Sequence, residues 1–259
     1  MFDKTYTHCE VISNKCIADG VFDMTVRSDS IAASTIPGQF AGIYTGSGDL
    51  ILPRPISVCC TDTQNGTVRF VYRVAGSGTE LFSNVKPGGR LRILAPLGNG
   101  YPIFPEHKKV AVVGGGIGIP PLLFLTRELL PNADVTAVLG YRNEAFLVND
   151  FNNLGAEILI ATDDGNVGFK GNTIQLLDSV VEQFDVIYGC GPKVMLKFLA
   201  SWADSRNIPC YISLEERMGC GFGACVGCVC SVSDRDGNSA YKKVCVDGPV
   251  FNAREVDFN

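Results

Sequence analysis

The sequence predicts a β barrel followed by an α/β domain on a parallel sheet and a small C-terminal domain that a metal would hold together. Three observations carry this. Short β-rich segments separated by turn signals fill the first hundred residues, strand and helix then alternate, and from Glu215 the texture turns Gly- and Cys-rich with little periodicity. The expected boundaries are 1–102, 103–212 and 213–259. A chain of 259 residues, 46% hydrophobic and 19% charged, can bury the core of two domains with an appendage.

Taken in order, segments 9–16, 22–27, 39–45, 68–74 and 90–94 are short and β-rich. Asp19-Gly20, Pro37-Gly38, Asn65-Gly66 and Pro87-Gly88-Gly89 separate them. Evenly spaced strands without long helices between them suggest an antiparallel barrel or sandwich. Beyond Pro102, the run 110–113 reads as a buried strand that leads through a glycine loop into an apolar helix, 122–130. Further strands are expected at 135–139, 157–161, 185–188 and 208–214, with helices at 173–182 and 193–206. The segment from Glu215 is too short to build a core alone and needs a metal.

Composition narrows the function. A formal charge of -5 and the lack of any basic run exclude a nucleic-acid or anionic-membrane surface. Residues 1–16 are polar and broken by charges, unlike a signal peptide. The apolar run 110–125 carries four glycines and two prolines and falls short of the roughly 18–20 residues of a membrane span. A soluble, cytoplasmic protein is expected. Its 11 cysteines, an odd number, then favour metal binding over disulfides.

Cys220-Gly221-Phe222-Gly223-Ala224-Cys225-Val226-Gly227-Cys228 followed by Cys245 gives the spacing C-x4-C-x2-C…C of a plant-type [2Fe–2S] site. Glycines at 219, 221, 223 and 227 let the loop curl around a cluster and aim N–H groups at its sulfurs. A Zn²⁺ site can use the same four thiolates, although zinc motifs come as paired short knuckles. Four free buried cysteines are the remaining alternative. Cys230 is a bystander in the strand after the loop, or a substitute for Cys228.

Gly114-Gly115-Gly116-Ile117-Gly118-Ile119-Pro120-Pro121 follows a strand and opens a helix, the context of a dinucleotide pyrophosphate loop, though Pro121 holds the third motif position. A tight βα turn without a ligand is the plain alternative. A second turn, Tyr188-Gly189-Cys190-Gly191-Pro192, has the same context and is expected at the same carboxyl edge of the sheet. Cys190 there is either a small core residue or a contact to a nicotinamide ring. In the barrel, Arg54-Pro55-Ile56-Ser57 offers a guanidinium to a phosphate and a hydroxyl to a flavin nitrogen. Val71-Tyr72-Arg73 follows, and Gly78-Thr79 is expected to start a short helix.

In this order the R-P-x-S segment, the G-T element, the G-G-G-I-G-I-P-P loop and the C-G-P turn resemble the ferredoxin–NADP reductase superfamily over about the first 210 residues. The tail narrows this. Ser213-Leu214-Glu215-Glu216-Arg217-Met218-Gly219-Cys220-Gly221 and Val244-Cys245-Val246-Asp247-Gly248-Pro249-Val250-Phe251 resemble the electron-transfer subunits of type B dihydroorotate dehydrogenase. The resemblance implies a flavin-binding barrel, a nucleotide-binding α/β domain and an iron–sulfur tail. It assigns Arg54, Pro55, Ile56, Ser57, Val71, Tyr72, Arg73, Gly78 and Thr79 to FAD, and Cys220, Cys225, Cys228 and Cys245 to the cluster. It also implies an FMN-containing catalytic partner that oxidises dihydroorotate in pyrimidine synthesis, two copies of each subunit, and NAD as electron acceptor. After the strand 135–139, where a ribose-binding acid is usual, stands Arg142, either a partner for a 2′-phosphate or, as the better reading, a surface residue. A ferredoxin- or sulfide-linked NAD(P) reductase subunit has a similar architecture, and a zinc-stabilised adaptor without redox activity is the reading from another class.

Overall fold

A computed structural model describes residues 4–180, 183–233 and 238–258. Strands β1 (Thr5–Ala18), β2 (Val21–Arg27), β3 (Phe40–Tyr44), β4 (Arg54–Asp62), β5 (Thr67–Arg73) and β6 (Arg90–Leu97) close into a barrel in the order β1-β2-β5-β4-β3-β6. Its interior is filled by residues such as Met24, Val26, Ile43, Val58, Val68, Phe70 and Ile93, all fully buried. These come from alternating positions that send every second side chain inward. Two short helices, α1 (Asp29–Ser34) and α2 (Ser77–Ser83), decorate the connections. The strands expected from sequence are present and mostly longer. Strand β4 was not among them, because Pro55 in its second position argues against a strand. Pro55 pairs with Gly42 of β3 all the same. Helix α1 was also missed. Six residues are too few for a helical period, and only the Ser28 hydroxyl capping Ile31 marks its start.

The second unit alternates β7 (Lys109–Gly115), α3 (Ile119–Leu129), β8 (Asp134–Tyr141), α4 (Val148–Leu154), β9 (Glu157–Thr162), β10 (Phe169–Lys170), α5 (Thr173–Asp178), β11 (Val186–Cys190), α6 (Lys193–Ser205) and β12 (Cys210–Ser213). Helix α5 ends at Asp178, earlier than the periodicity suggests, and positions 181–182 of that expected helix lie outside the described residues. Helix α4 and strand β10 had no sequence signal. The residue before α4 is Leu147, held at φ 63°, instead of a capping side chain.

In the tail, β13 (Val229–Ser233) and β14 (Ser239–Lys243) pair as a hairpin, and β15 (Val250–Asn252) turns back to the main sheet. That sheet runs β10-β9-β8-β7-β11-β12-β15, parallel except for β15 against β12. Cys228, Val232, Val244, Cys245 and Phe251 of the tail share one apolar core with Val113, Ile187 and Leu199, and with Phe40 and Leu97 of the barrel. Apolar burial therefore anchors the tail in addition to any metal. Phe251 is 4% exposed. Replacing it with Ala should lower stability by about 3–5 kcal/mol in urea titrations. The tail of that variant should also be cleaved faster in limited proteolysis than the rest of the chain.

Candidate functional site

The barrel contributes one rim. The pairing Val58↔Phe70 sets residues 54–57 of β4 beside the end of β5. Arg54, Pro55, Ile56 and Ser57 are partly exposed there, and Arg73 is exposed. A Cβ on Gly78 would stand 2.2 Å from Arg54 Nε, so only glycine lets the guanidinium lie across the start of α2. The Thr79 hydroxyl is committed to the local turn: it accepts the N–H groups of Ala75 (2.9 Å) and Gly76 (3.2 Å) and donates to the Gly76 carbonyl (2.9 Å). Val71 and Tyr72 bring only backbone to the rim, since both side chains are buried. The Tyr72 ring stacks on Phe22 at 5.9 Å and its hydroxyl donates to Asn14 Oδ1 (3.2 Å). Burial pushes this phenol up to about 12.

The two glycine turns meet at the carboxyl edge of the sheet, as expected. Gly114 of β7 pairs with Cys190 of β11. A Cβ on Gly118 would fall 2.5 Å from the carbonyl of Cys190 and from the Gly191 nitrogen, and one on Gly115 would fall 3.0 Å from Pro192 Cδ. The two backbones touch because neither loop carries side chains between them. Gly116, at φ 53°, faces open space with no atom within 4 Å of a would-be Cβ. Pro120 and Pro121 occupy the first turn of α3, where their missing N–H groups go unused. That accounts for the departure from the usual third glycine. The Cys190 thiol points inward. Burial raises it to about 12, with hydrogen bonds to Ser213 and Tyr101 pulling weakly the other way.

The tail contributes four thiols. Gly221 (φ 78°) and Gly223 (φ 95°) reverse the loop. Cys220 contacts Cys225, whose N–H lies 3.4 Å from the Cys220 sulfur. Burial works to raise the Cys220 thiol, but hydrogen bonds from the backbone of Cys225, Phe222 and Gly223 outweigh it and bring it to about 6. Cys228 contacts Cys245, which burial chiefly raises to about 12. Among the described residues no three His, Cys, Asp or Glu converge on one ion. The thiols form instead two pairs, 220 with 225 and 228 with 245, and Cβ atoms on Gly219 and Gly227 would stand only 3.3 and 3.7 Å from the Cys225 sulfur. Two thiolate pairs in a glycine-lined loop with inward N–H groups fit a two-iron cluster. Cys230 is elsewhere, on β13, with its thiol on the Lys242 carbonyl (3.6 Å).

Residues without any sequence signal join these parts. A Cβ on Gly221 would lie 3.5 Å from Leu97 Cδ1 and 3.8 Å from Phe40 Cε2, and Phe40 pairs directly with Ser57. The thiol loop therefore packs one strand away from Ser57. Asn99 clamps the tail, its side chain donating to the carbonyls of Val246 (2.9 Å) and Asp247 (3.1 Å) and its N–H to Gly248 (2.6 Å). Lys243 Nζ donates to the Gly223 carbonyl (2.8 Å). The contacts of Gly221 with Leu97 and Phe40 and of Asn99 with the tail each span more than a hundred residues, which spacing rules do not reach.

Barrel, parallel sheet and thiol-bearing tail define a ferredoxin reductase-like chain with an iron–sulfur domain. Residues 215–257 match the family model described as the iron–sulfur cluster binding domain of dihydroorotate dehydrogenase B. The chain is 43% identical over 252 residues to the dihydroorotate dehydrogenase B (NAD(+)) electron transfer subunit of Geobacillus thermodenitrificans (strain NG80-2), covering 95% of this chain and 96% of the relative. Against the subunit of the same name from Caldanaerobacter subterraneus subsp. tengcongensis it is 43% identical over 248 residues, with 96% and 97% covered. The chain belongs to the family of dihydroorotate dehydrogenase B electron transfer subunits. Among solved structures it resembles a chain of an NADH-dependent reduced ferredoxin-NADP oxidoreductase, with TM-score 0.87, 32% identity and 96% and 90% of the two chains covered. The ferredoxin reductase of carbazole 1,9a-dioxygenase shares the fold alone, with TM-score 0.67 and 21% identity over 80% of this chain and 67% of that one.

Two predictions follow from this geometry. Cys230→Ser should keep full iron and acid-labile sulfide, whereas Cys228→Ser should lose both, as iron and sulfide analysis of anaerobic preparations will read. Cys190 should resist iodoacetamide in the native protein at pH 9, where an ordinary thiol is half ionised. A raised thiol pKa delays the thiolate until the pH approaches 12, so mass spectrometry should find Cys190 alkylated only after unfolding.

Proposed function

We propose that this chain carries electrons from the FMN of a dihydroorotate-oxidising partner, through a [2Fe–2S] cluster and FAD, to NAD⁺ in pyrimidine biosynthesis. The observation that carries this is the contact of the thiol loop with Phe40, the cross-strand partner of Ser57. Electron exchange between two bound groups requires such proximity.

The residue roles follow from the surroundings. Cys220, Cys225, Cys228 and Cys245 would hold the cluster. Arg54 lies against Gly78 and would bind an FAD phosphate. Ser57 would orient the flavin ring through its hydroxyl, with Pro55, Ile56, Val71, Tyr72, Arg73 and Thr79 shaping the rim. Gly114, Gly115, Gly116 and Gly118 would back the pyrophosphate of NAD, and Gly191 and Pro192 would close the other side. Cys190, neutral and buried, would support the nicotinamide as part of the floor and not as a nucleophile. When bound, the flavin exchanges a hydride with the nicotinamide and the cluster passes single electrons. The protein supplies position and electrostatics.

The partner would dock on the tail. Phe222 (42% exposed), Val226 (73%) and Val246 (43%) surround the thiol loop with apolar side chains suited to burial in an interface. We infer a complex with two copies of each subunit and an FMN-containing catalytic subunit. A cytoplasmic setting agrees with eleven unpaired thiols. None of the described helices is long and apolar enough to cross a membrane. NAD is the acceptor named for the relatives, and the exposed Arg142 is then an ordinary surface residue.

A second reading, the small subunit of a ferredoxin-linked NAD(P) oxidoreductase, has the 32% identity to the solved oxidoreductase chain in its favour. The match of residues 215–257 to the iron–sulfur model of dihydroorotate dehydrogenase B argues against it. Purification with and without the neighbouring subunit tests both. The complex should be red-brown, contain FMN and reduce NAD⁺ with dihydroorotate, while the chain alone should reduce dyes with NADH and leave dihydroorotate untouched. Dihydroorotate oxidation by the chain alone, or copurification with a larger iron–sulfur flavoprotein in place of an FMN protein, would overturn the assignment. A colourless zinc protein would do the same.

A further inference from the structure

The barrel and the α/β unit meet along a seam whose apolar part joins Val21, Cys59 and Val71 to Ile119 and Leu122 in one core. A greasy contact of this kind resists separation but permits sliding, because dispersion and the hydrophobic effect are non-directional. Directional side-chain contacts cross it at Arg127 of α3, which donates to the Thr61 carbonyl and to Cys60 Sγ (3.0 Å) on β4, and at a charged triad. Arg69 of β5 donates through Nε and Nη2 to both carboxylate oxygens of Asp23 on β2 (3.0, 3.1 and 2.8 Å), and through Nη1 to Asp150 on α4. One guanidinium thus joins a barrel carboxylate to a carboxylate of the other unit. Its side chain is 25% exposed, with Asp23 at 21% and Asp150 at 31%, so water screens the triad only in part. Nearby, Glu144 Oε2 accepts the N–H of Asp19 (2.9 Å) from the β1–β2 turn.

Both partners on the α/β side belong to one segment. Glu144 and Asp150 flank the connection from β8 to α4, and β8 ends beside the first glycine loop through the pair Gly115↔Gly140. This connection includes Leu147, a buried non-glycine residue at φ 63° whose carbonyl accepts the N–H groups of Asp150 (3.0 Å) and Phe151 (3.2 Å). The left-handed residue aims the first turn of α4 at Arg69. The same stretch of chain therefore touches the barrel and adjoins the edge where a dinucleotide would lie.

We propose that Arg69 is a positioning residue for hydride exchange: by binding Asp23 and Asp150 together it sets the angle at which the dinucleotide edge faces the flavin rim. The inference rests on the function proposed above. In the step it serves, the reduced flavin would give a hydride, one proton and two electrons, from N5 to C4 of the nicotinamide, so that the flavin is oxidised and NAD⁺ reduced; NADH drives the same transfer in reverse. That transfer depends steeply on approach distance and angle, and a misplacement of about 1 Å can slow it about a hundredfold.

The test is anaerobic stopped-flow reduction of the flavin by NADH in the full chain with its cofactors, comparing wild type with Arg69→Met, Asp150→Asn and Asp150→Glu. Asp150→Asn is decisive, since it removes the negative charge on the α4 side of the Arg69 bridge while leaving Arg69 and Asp23 paired inside the barrel. Expected is a limiting rate of flavin reduction lowered about tenfold or more in Arg69→Met and Asp150→Asn, with a weakened NADH-to-flavin charge-transfer absorbance. Flavin content, the cluster's electron paramagnetic resonance signal and reduction by dithionite should stay as in wild type, and Asp150→Glu should recover most of the rate. Wild-type rates in Asp150→Asn would overturn the proposal, as would a rate loss matched by loss of flavin. If wild-type flavin is not reduced by NADH at all, it is the underlying functional reading that fails.

Discussion

The return of the tail to the main sheet is the constraint on which the arrangement depends. Residues 215–249 leave β12, form the thiol loop and a hairpin, and come back as β15 against the strand they left. Both ends of the excursion are thereby tied to one strand, with Leu214 N–H on the Pro249 carbonyl (2.9 Å) closing its base. A loop pinned at both ends loses little further entropy on ordering. The Asn99 clamp then turns it toward the barrel, and Phe40 and Leu97 meet Gly221. Without the β12–β15 pairing, neither the apolar core under the thiols nor their nearness to Ser57 would persist.

The cysteines show how the same side chain is tuned in opposite directions by a few ångströms of surroundings. Cys59, Cys190 and Cys210 are buried among apolar groups, and desolvation raises each thiol. Cys220 is partly exposed and receives several N–H groups from the glycine-rich loop, which stabilise its thiolate more than burial opposes it. The distinction is one of backbone direction. A strand spends its N–H groups on the neighbouring strand, whereas a loop with Gly221 and Gly223 at positive φ turns them inward. Cys220 is held as a thiolate by the loop, while Cys190 and Cys210 on the strands stay protonated.

Much of this was legible in the sequence because it is local. The C-x4-C-x2-C spacing, the glycine turn after β7 and its counterpart after β11 each declare themselves within about ten residues, and the pairing Gly114↔Cys190 realises the expected common edge. The barrel strands other than β4 also followed from β-rich runs between turn signals. What could not be read is long-range or contrary to a local rule. Strand β4 hides behind Pro55, and α4 begins after a left-handed leucine. The tail's strand β15 is three residues long and is made by its partner, not by its own propensity. The resemblance assigns Tyr72 to the flavin rim, where the structure brings its backbone and not its ring. The two-residue period of the strand turns it inward, where Phe22 and Phe82 enclose it.

The two ends of the barrel are joined to the rest of the molecule by different kinds of contact, and the difference matches what each end must do. At the tail the connection is a continuous apolar core reinforced by backbone hydrogen bonds to Asn99, a packed arrangement that admits one geometry. Single-electron exchange between two groups held on either side of such a core needs no motion. At the seam with the nucleotide edge the directional contacts are side-chain ion pairs and single hydrogen bonds, from Arg69 to Asp23 and Asp150, from Asp19 to Glu144, and from Arg127 to Thr61 and Cys60. These are weaker and partly hydrated, and can be remade after small displacements. A dinucleotide must enter, stack and leave on every turnover, so the edge that receives it needs a seam that yields and returns to one angle. A core locked by backbone hydrogen bonds on the cluster side, and an apolar seam crossed by remakeable polar contacts on the nucleotide side, let one barrel serve a fixed relay and an exchangeable substrate together.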